Sequence, residues 1–411
     1  MRKVTSLRLL SAILILSSSA FISGCATMRH PVPYDLVTNA SLHNMDDIRV
    51  MVGESNSKLQ NNLLESLKQE SAEDFPGGPD GVKVYPILAI SGGGANGAYG
   101  AGLMKGWSKE GSRPLFKIVT GVSTGAISAP YIFLDKEYDD ELEKLYTTIS
   151  TKDVLSSKGP LGVLFGDSMA NNRPLKKLVA RLFDDNMIAE IAAEHKSGRR
   201  LFVGTVNIDA QRFVVWDMGA IAVRGDNELF RDVIIASAAI PIVFPPSIFH
   251  VEADGKSYDE MHVDGGALTQ VFTTFKLLEG MDEAAEKLGI DPAKVRARLF
   301  IIRNGYMSPN YKKVKDDLVS LAGRSMDTII GSQGIGDAYR IYLYTKEGDN
   351  EYNLAFIPPD YKDNSKEMFD TLEMRRLFDR GYQDAVKGYE WHKTPPGLKT
   401  GDIAAYRGTE K

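Results

Sequence analysis

The pentapeptide Gly-Val-Ser-Thr-Gly at residues 121–125 places a serine between two glycines. It follows a compact apolar run and precedes a helix-like run. A serine on the sharp turn between a strand and a helix is typical of a nucleophile elbow, in which the flanking glycines leave room for backbone and substrate. The pattern predicts nucleophilic chemistry at Ser123, with Gly121 and Gly125 as the elbow glycines.

A glycine-rich loop at residues 92–97 precedes the elbow. Consecutive glycines such as Gly92, Gly93 and Gly94 allow backbone amides to converge on an oxyanion or a phosphate, and a helix starting there adds its positive dipole end. The loop also matches the dinucleotide pattern G-x-G-x-x-G. A dinucleotide site needs an acidic residue at the end of the second strand, where this chain has the serine elbow. We therefore favour an oxyanion-binding loop.

Serine needs a base to act as a nucleophile. The six histidines are His30, His43, His195, His250, His262 and His392. Only His392 follows the usual order of serine, acid and histidine, and its surroundings indicate an exposed helix end. Asp264 is the better candidate, because a strand-end carboxylate followed by two glycines can accept the serine proton if burial raises its pKa. The alternative is that Asp264 is a turn residue, since Asp-Gly is a common turn pair.

The elements around these residues indicate an α/β sheet with helices on both faces. Apolar runs at 84–90 and 116–120 predict buried parallel strands that deliver the two loops at their C-terminal ends. Further strands are predicted at 201–206, 213–216, 262–263, 298–302 and 340–344. Helical patterns occupy 138–149, 173–183, 313–330 and 368–389. By position alone, residues 150–200 are a candidate cap over the site.

The N-terminus has the three parts of a secretory signal peptide, with basic residues, an apolar run at 9–16 and small residues up to Gly24. Residues 21–25 resemble the lipobox of bacterial lipoproteins, in which the peptide is cut before an acylated cysteine. We therefore expect a signal peptide at 1–24 and lipid chains such as palmitate on Cys25. By the same resemblance, Ala26 favours the outer membrane. The alternative is an ordinary secreted protein with a cysteine at this place by chance.

The composition is that of a folded protein: of 411 residues, 43% are hydrophobic, and the formal net charge is −5. This excludes a disordered chain, and the missing basic excess argues against nucleic-acid binding. Removing residues 1–24 removes three basic residues and no acidic one, which moves the net charge to −8. Membrane attachment is therefore expected through acyl chains rather than through charge. With Cys25 as the single cysteine, no intramolecular disulfide is possible.

One further uncharged run, at 233–249, could suggest a membrane span. It has 17 residues and contains three prolines, so we predict a helix that stops into a buried irregular segment. No transmembrane helix is expected in the mature chain.

The glycine loop, the elbow and the Asp264-Gly265-Gly266 triplet, in this order, resemble the patatin-like phospholipase family over roughly residues 82–389. Residues 236–241 resemble a further block of that family. The resemblance implies a three-layer α/β sandwich with a mostly parallel sheet, and hydrolysis of acyl esters of phospholipids and related lipids. It also implies a Ser-Asp dyad without histidine. Carried onto this sequence, the roles are Ser123 as nucleophile, Asp264 as base, and the Gly92, Gly93 and Gly94 backbone as oxyanion hole.

One departure from the family concerns Asn96, because many members have Arg or Lys there. Any help that such a cation gives to the oxyanion is then missing, which implies a lower rate or a different head-group preference. The scheme requires neither a metal nor a cofactor, and no residue cluster has metal-site spacing.

The expected organisation is a signal peptide at 1–24, a lipid-anchored tether and leading helix at 25–81, a catalytic domain at 82–390 and a tail at 391–411. The expected partner is the membrane lipid that serves as substrate. The alternative is a surface lipoprotein that binds lipid or protein without catalysis. No protein partner is predicted.

Overall fold

The computed structural model describes residues 29–42, 45, 47–53, 57–159, 168–273, 275–347 and 350–399. The expected signal peptide and the expected acylation site, Cys25, lie outside these residues, as does the tail from residue 400.

A mixed sheet forms the centre of the molecule, in the order β1-β7-β6-β3-β2-β10-β11, with β9 pairing to β6 and β8 to β9. The strands are β1 Arg49–Met51, β2 Lys83–Ile90, β3 Ile118–Val122, β4 Ser156–Ser157, β5 Ala170–Asn171, β6 Arg200–Asn207, β7 Arg212–Asp217, β8 Ser247–Ala253, β9 Lys256–Asp264, β10 Val295–Arg303 and β11 Glu351–Phe356. The run from β6 through β3, β2 and β10 to β11 is parallel, whereas β1, β7 and β9 pair antiparallel. β4 and β5 form a separate small hairpin.

Helices pack around this sheet. They are α1 Ser57–Gln69, α2 Gly97–Glu110, α3 Thr124–Phe133, α4 Asp139–Thr148, α5 Thr151–Val154, α6 Arg173–Leu182, α7 Asp185–Lys196, α8 Met218–Val223, α9 Asn227–Ser237, α10 Phe275–Lys287, α11 Leu318–Glu347 and α12 Thr371–Ala385. Alternate residues of β2 enter two different cores: Leu88 and Ile90 face one, Ile87 and Ala89 the other. The sheet is therefore buried on both faces, as its continuous apolar runs require.

The predicted fold class is confirmed: a mostly parallel central sheet lies between layers of helices. The strand predicted at 340–344 is wrong, because these residues belong to α11. Five strands were not predicted: β1, β8 and β11 of the central sheet, and the short strands β4 and β5.

The leading region is part of the same body as the catalytic residues. β1 extends the sheet by pairing with β7, and Arg49 forms a buried ion pair with Glu260 of β9 at 2.5 Å. α1 packs over the buried Lys117, whose Nζ lies 2.6 Å from Glu70 and 3.0 Å from the Ser66 carbonyl. The boundary expected near Val82 therefore does not separate a tether from a domain.

The chain from Arg29 is also held to the domain. Arg29 Nη1 donates to Asp209 at 3.1 Å, and the backbone amide of His30 donates to Asp259 in β9 at 3.1 Å. At the other end, Trp391 packs against Trp107 and Phe300 with ring centroids 4.8 and 5.0 Å away. The start of the expected tail thus belongs to the core.

The uncharged run at 233–249 is a helix that ends in an irregular segment, as predicted, but part of that segment is exposed, including Ile242. α9 ends at Ser237, and an irregular segment leads from there to β8. Among the described residues, no helix combines the length and the apolar character that crossing a bilayer requires.

Candidate active site

Strand β6 brings together the two chain segments that carry Ser123 and Asp264. β3 runs parallel to β6 and ends with Val122 opposite Gly204. β9 runs antiparallel to β6 on the same edge and ends with Asp264 opposite Thr205. The ends of β3 and β9 therefore meet head to head beside two consecutive residues of one strand.

Ser123 occupies a strained turn between β3 and α3, as the elbow pattern predicted. Its φ of 56° and ψ of −122° lie outside the conformations that a serine adopts without cost. The Ser123 amide donates to Ser237 Oγ at 3.0 Å, and Ser237 Oγ donates to the Gly204 carbonyl at 2.7 Å. The α3 amides of Ala126 and Ile127 donate to the Ser123 carbonyl. The turn is thus fixed on both sides.

The elbow glycines are required by close backbone contacts. A Cβ on Gly121 would lie 2.4 Å from the Gly125 carbonyl oxygen, across the turn. A Cβ on Gly125 would lie 2.3 Å from the carbonyl oxygen of Ile90, at the end of β2. These atoms are backbone and cannot move aside, so the tight elbow excludes larger residues at both positions.

Asp264 is almost fully buried, with 4% of its surface exposed. Burial raises the pKa of Asp264 to about 7, while hydrogen bonds from the Ser123 side chain and the Gly266 amide act in the opposite direction. The Gly266 amide donates to Asp264 Oδ1 at 2.7 Å. The structure therefore joins the two side chains that were predicted as nucleophile and base. Asp264 and Gly265 also form a turn. The alternative interpretation, that Asp264 is a turn residue, therefore holds for its backbone.

The histidines lie elsewhere. His43 is outside the described residues, and the other five bond or stack with other partners. His262, two residues before Asp264, lies between Thr205 Oγ1 and Glu260 at 2.9 and 3.1 Å. His392 stacks on Phe356 with centroids 4.7 Å apart, on an exposed bridge to β11. Within the part of the chain that the structure describes, no histidine side chain contacts Ser123 or Asp264.

The glycine loop lies against the nucleophile, with one change from the predicted roles. A Cβ on Gly92 would lie 3.2 Å from Ser123 Cβ, but the Gly92 amide donates to the Gln270 carbonyl at 3.0 Å. That amide is consequently engaged and is not a free oxyanion donor. The amides of Gly93 and Gly94 have no acceptor among the described residues. The same holds for the amide of Thr124 at the start of α3, which was not predicted.

Several residues that shape this loop were missed. A Cβ on Gly93 would lie 2.2 Å from the Asn304 carbonyl oxygen. The Asn304 side chain accepts from the Gly100 amide and donates to the Ser91 carbonyl, both at 3.1 Å. Asn304 follows β10, far along the chain, and carries no motif. Ser237 lies within residues 236–241, which resemble a block of the patatin-like family. That resemblance was the only sequence feature that pointed to Ser237.

A buried cation lies behind the loop, although Asn96 offers none. The Arg303 guanidinium lies 3.4 Å from both Ser91 Oγ and Gln270 Oε1. Its Nε has no hydrogen-bond acceptor among the residues described. Burial lowers the pKa of Arg303 to about 10, so it remains charged at neutral pH. The positive charge comes from the end of β10 and not from the loop itself.

An apolar pocket opens at Ser123. Its cavity is small, about 40 Å³, and Gly94 and Thr124 also border it. Much of its wall is aliphatic or aromatic, including Ile127, Leu145, Ile149, Val154, Leu178 and Phe244. Val154 and Leu178 belong to the segment expected to cap the site, so part of that segment does line it. The apolar character of this wall suits contact with a hydrocarbon chain.

No group of three or more metal-ligating side chains suited to hold an ion occurs within the described ranges. What the site offers is a strained serine, a buried carboxylate, free amides and an apolar pocket. These are the parts of an acyl-transfer site.

Comparisons with known proteins agree with the fold and the motifs. The family model of patatin-like phospholipases matches residues 88–274, which include the glycine loop, Ser123 and Asp264. None of the curated proteins compared matches the chain.

Among solved structures, VipD from Legionella pneumophila is 12% identical, with 77% of this chain and 70% of that chain covered and a TM-score of 0.35. ExoU from Pseudomonas aeruginosa, solved in complex with SpcU, is 14% identical, with 75% and 54% covered and a TM-score of 0.31. The chain thus spans about half of the length of ExoU. Residues 88–274 of this chain thus form a patatin-like phospholipase domain.

Proposed function

We propose that the protein is a lipid acyl-ester hydrolase of the phospholipase A or lysophospholipase type that uses Ser123 and Asp264 as a catalytic dyad. The observation that carries this proposal is that a serine on a strained elbow lies beside a buried carboxyl, Asp264, whose pKa is raised to about 7. A carboxylate with that pKa is a suitable base at neutral pH. The apolar pocket beside Ser123 supports an acyl chain as the group transferred.

In the first step, Ser123 Oγ attacks the acyl carbonyl carbon and its proton passes to Asp264. The negative charge on the carbonyl oxygen is stabilised by free amides, for which Gly93, Gly94 and Thr124 are the candidates. When the tetrahedral intermediate collapses, the ester C–O bond breaks and Asp264 returns the proton to the leaving lysolipid oxygen. Water then attacks the acyl-enzyme with the same base, releasing the fatty acid and restoring Ser123.

Arg303 supports this scheme electrostatically. Its charge is buried and is only weakly hydrogen-bonded behind the loop that supplies the oxyanion amides. In a low-dielectric surrounding a fixed cation favours the developing oxyanion over the neutral ester. We assign to Arg303 the role that a basic residue at the position of Asn96 plays in other members.

We further propose that the mature chain begins at an acylated Cys25 and is attached to the outer membrane of the bacterial envelope. This rests on the signal-peptide pattern, the residues before Cys25 and Ala26 after it. Several buried acyl chains, at about 0.8 kcal/mol per CH₂ group, make such attachment effectively permanent. Metabolic labelling with palmitate tests it. We expect label in the wild type and none in Cys25→Ala, and label retained in that variant would refute the assignment.

The hydrolase is tested by a fluorophosphonate probe and by mass spectrometry of products from defined phospholipids. Wild type is expected to be labelled and to release fatty acid, and Ser123→Ala to do neither. Ser128→Ala is the matched control. Ser128 is a buried serine of α3, the helix that follows Ser123, and its Oγ lies 2.8 Å from the Tyr146 hydroxyl. His392→Ala is expected to keep wild-type activity. A wild type that takes no label would instead favour the non-catalytic lipid-binding alternative.

A further inference from the structure

One helix over the pocket carries two opposite chemical faces. α6 contributes Leu175 and Leu178 to the pocket wall beside Ser123. Its sequence, RPLKKLVARL, has four basic residues and no acidic one. The basic side chains of Arg173, Lys176, Lys177 and Arg181 are all exposed. At 100° per residue they project away from the leucine face. α6 is therefore a roof, apolar toward the pocket and cationic toward solvent.

The cations of this roof are not used inside the protein. Within the described ranges, none of the four forms an ion pair. Asp232 lies near Lys176 and Asp153 near Arg181, so these two charges are partly offset. The chain has a formal net charge of −5, so the four basic residues of α6 make the surface over the pocket locally positive.

Exposed apolar side chains accompany the cations. Ile242 lies between the pocket residues Ile240 and Phe244 and is 49% exposed. Its φ of 73° is strained for a β-branched residue. The Met169 amide, just before the chain enters α6, donates to the Ile242 carbonyl at 2.8 Å. Met368, next to the pocket residue Phe369, is 46% exposed.

We propose that the outer face of α6, together with Ile242 and Met368, is the surface through which the protein docks on an anionic lipid bilayer. The charge of the helix is complementary to anionic head groups, and the two apolar tips are suited to enter the layer below them. Two walls of the pocket, α6 and the segment that contains Ile240 and Phe244, then lie next to the lipid. Anionic phospholipid is accordingly the preferred substrate surface, an inference that rests on the proposed hydrolase.

The experiment uses the chain from residue 25 onward with Cys25→Ser, so that neither acyl groups nor the apolar signal segment contribute to binding. Sedimentation measures its binding to vesicles of phosphatidylcholine alone and of phosphatidylcholine mixed with phosphatidylserine. We expect binding to the mixed vesicles to be stronger and to fall with salt. Since each basic residue strengthens binding to such a surface about five-fold, Arg173→Gln with Lys177→Gln should weaken it about 30-fold.

The matched control is Lys196→Gln with Lys256→Gln, which removes two exposed charges that neither lie on α6 nor line the pocket. It should bind as the parent chain does. Ile242→Asn should bind the mixed vesicles more weakly without a loss of thermal stability, because asparagine tolerates the left-handed conformation and is polar.

Two results would overturn the docking surface: equal binding to both kinds of vesicle, or an equal loss in the control pair. Hydrolysis of a soluble short-chain ester separates this question from the proposed function. If the parent chain cleaves that ester but shows no vesicle preference, the docking surface is wrong and the hydrolase stands. If it binds the mixed vesicles but cleaves no ester, the hydrolase is wrong.

Discussion

Ser237 Oγ accepts the backbone amide of Ser123 at 3.0 Å and donates to the Gly204 carbonyl at 2.7 Å. One hydroxyl thus ties the elbow to β6, the strand that also holds Asp264 opposite Thr205. The strained backbone of Ser123 and the position of Asp264 share this support. Ser237 itself is fully buried, so water cannot replace it.

Ser237→Ala is therefore expected to disturb catalysis although it removes only one oxygen atom. The Ser123 amide loses its acceptor in a buried place, which costs about 1–3 kcal/mol. Because that cost falls on the strained elbow, we expect kcat on a soluble ester to fall about 10- to 100-fold while KM changes little. Ser128→Ala serves as the comparison. A Ser237→Ala enzyme with wild-type kcat would show that the elbow holds its shape unaided.

The rate should depend on the ionisation of Asp264. A base must be deprotonated to accept the serine proton, and the pKa of Asp264 is raised to about 7. We expect kcat/KM to rise about ten-fold per pH unit below that value and to level off above it. Asp264→Asn should lose activity at every pH. A wild-type rate that is already constant between pH 5 and pH 6 would argue against Asp264 as the base.

The same carboxyl should lower the stability of the fold above neutral pH. Its folded-state pKa lies above the unfolded value of about 3.9, so the folded state binds more protons between about pH 4 and pH 7. Stability therefore falls as pH rises through this window. Asp264→Asn removes the buried charge and should raise the free energy of unfolding at pH 8 by as much as about 4 kcal/mol. Urea unfolding at pH 4 and pH 8 measures this, and an equal difference at both values would contradict it.

Gly125→Ala is expected to destroy the elbow, because the new Cβ would lie 2.3 Å from the Ile90 carbonyl oxygen. Either β2 or α3 must shift, and both carry parts of the site. We expect loss of ester hydrolysis and a lower Tm. Gly331→Ala, at an open helical position with no atom within 4 Å, should instead raise stability by about 1 kcal/mol. An active Gly125→Ala enzyme would mean that the turn is less tight than described.

Local chemistry made the centre of the site predictable. The elbow around Ser123 and the strand-end Asp264 are short patterns whose residue types follow from backbone geometry and proton transfer. The residues that complete the site come from distant segments: Gln270 occupies the Gly92 amide, and Arg303 supplies a cation from β10. Such contacts depend on which strands become neighbours, which no local pattern encodes.

The errors in the fold have the same origin. Residues 340–344 are rich in aromatic and β-branched types and favour a strand locally, yet Ile341 and Tyr342 are buried as part of the long helix α11. Tertiary packing outweighed local propensity there. β1 has only three residues and gains its order from pairing with β7 and from the ion pair of Arg49 with Glu260. A strand of that length has no signature of its own.

Arg29 and His30 are bonded to Asp209 and Asp259, and this limits the distance between the domain and a lipid anchor at Cys25. Only three residues lie between Cys25 and Arg29. The four residue steps from one to the other span at most about 14 Å even when fully extended. In a chain acylated at Cys25, the linker between the lipid anchor and the folded domain would therefore be very short. The face of the domain that carries Asp209 and Asp259 would then lie close to the leaflet that holds the anchor.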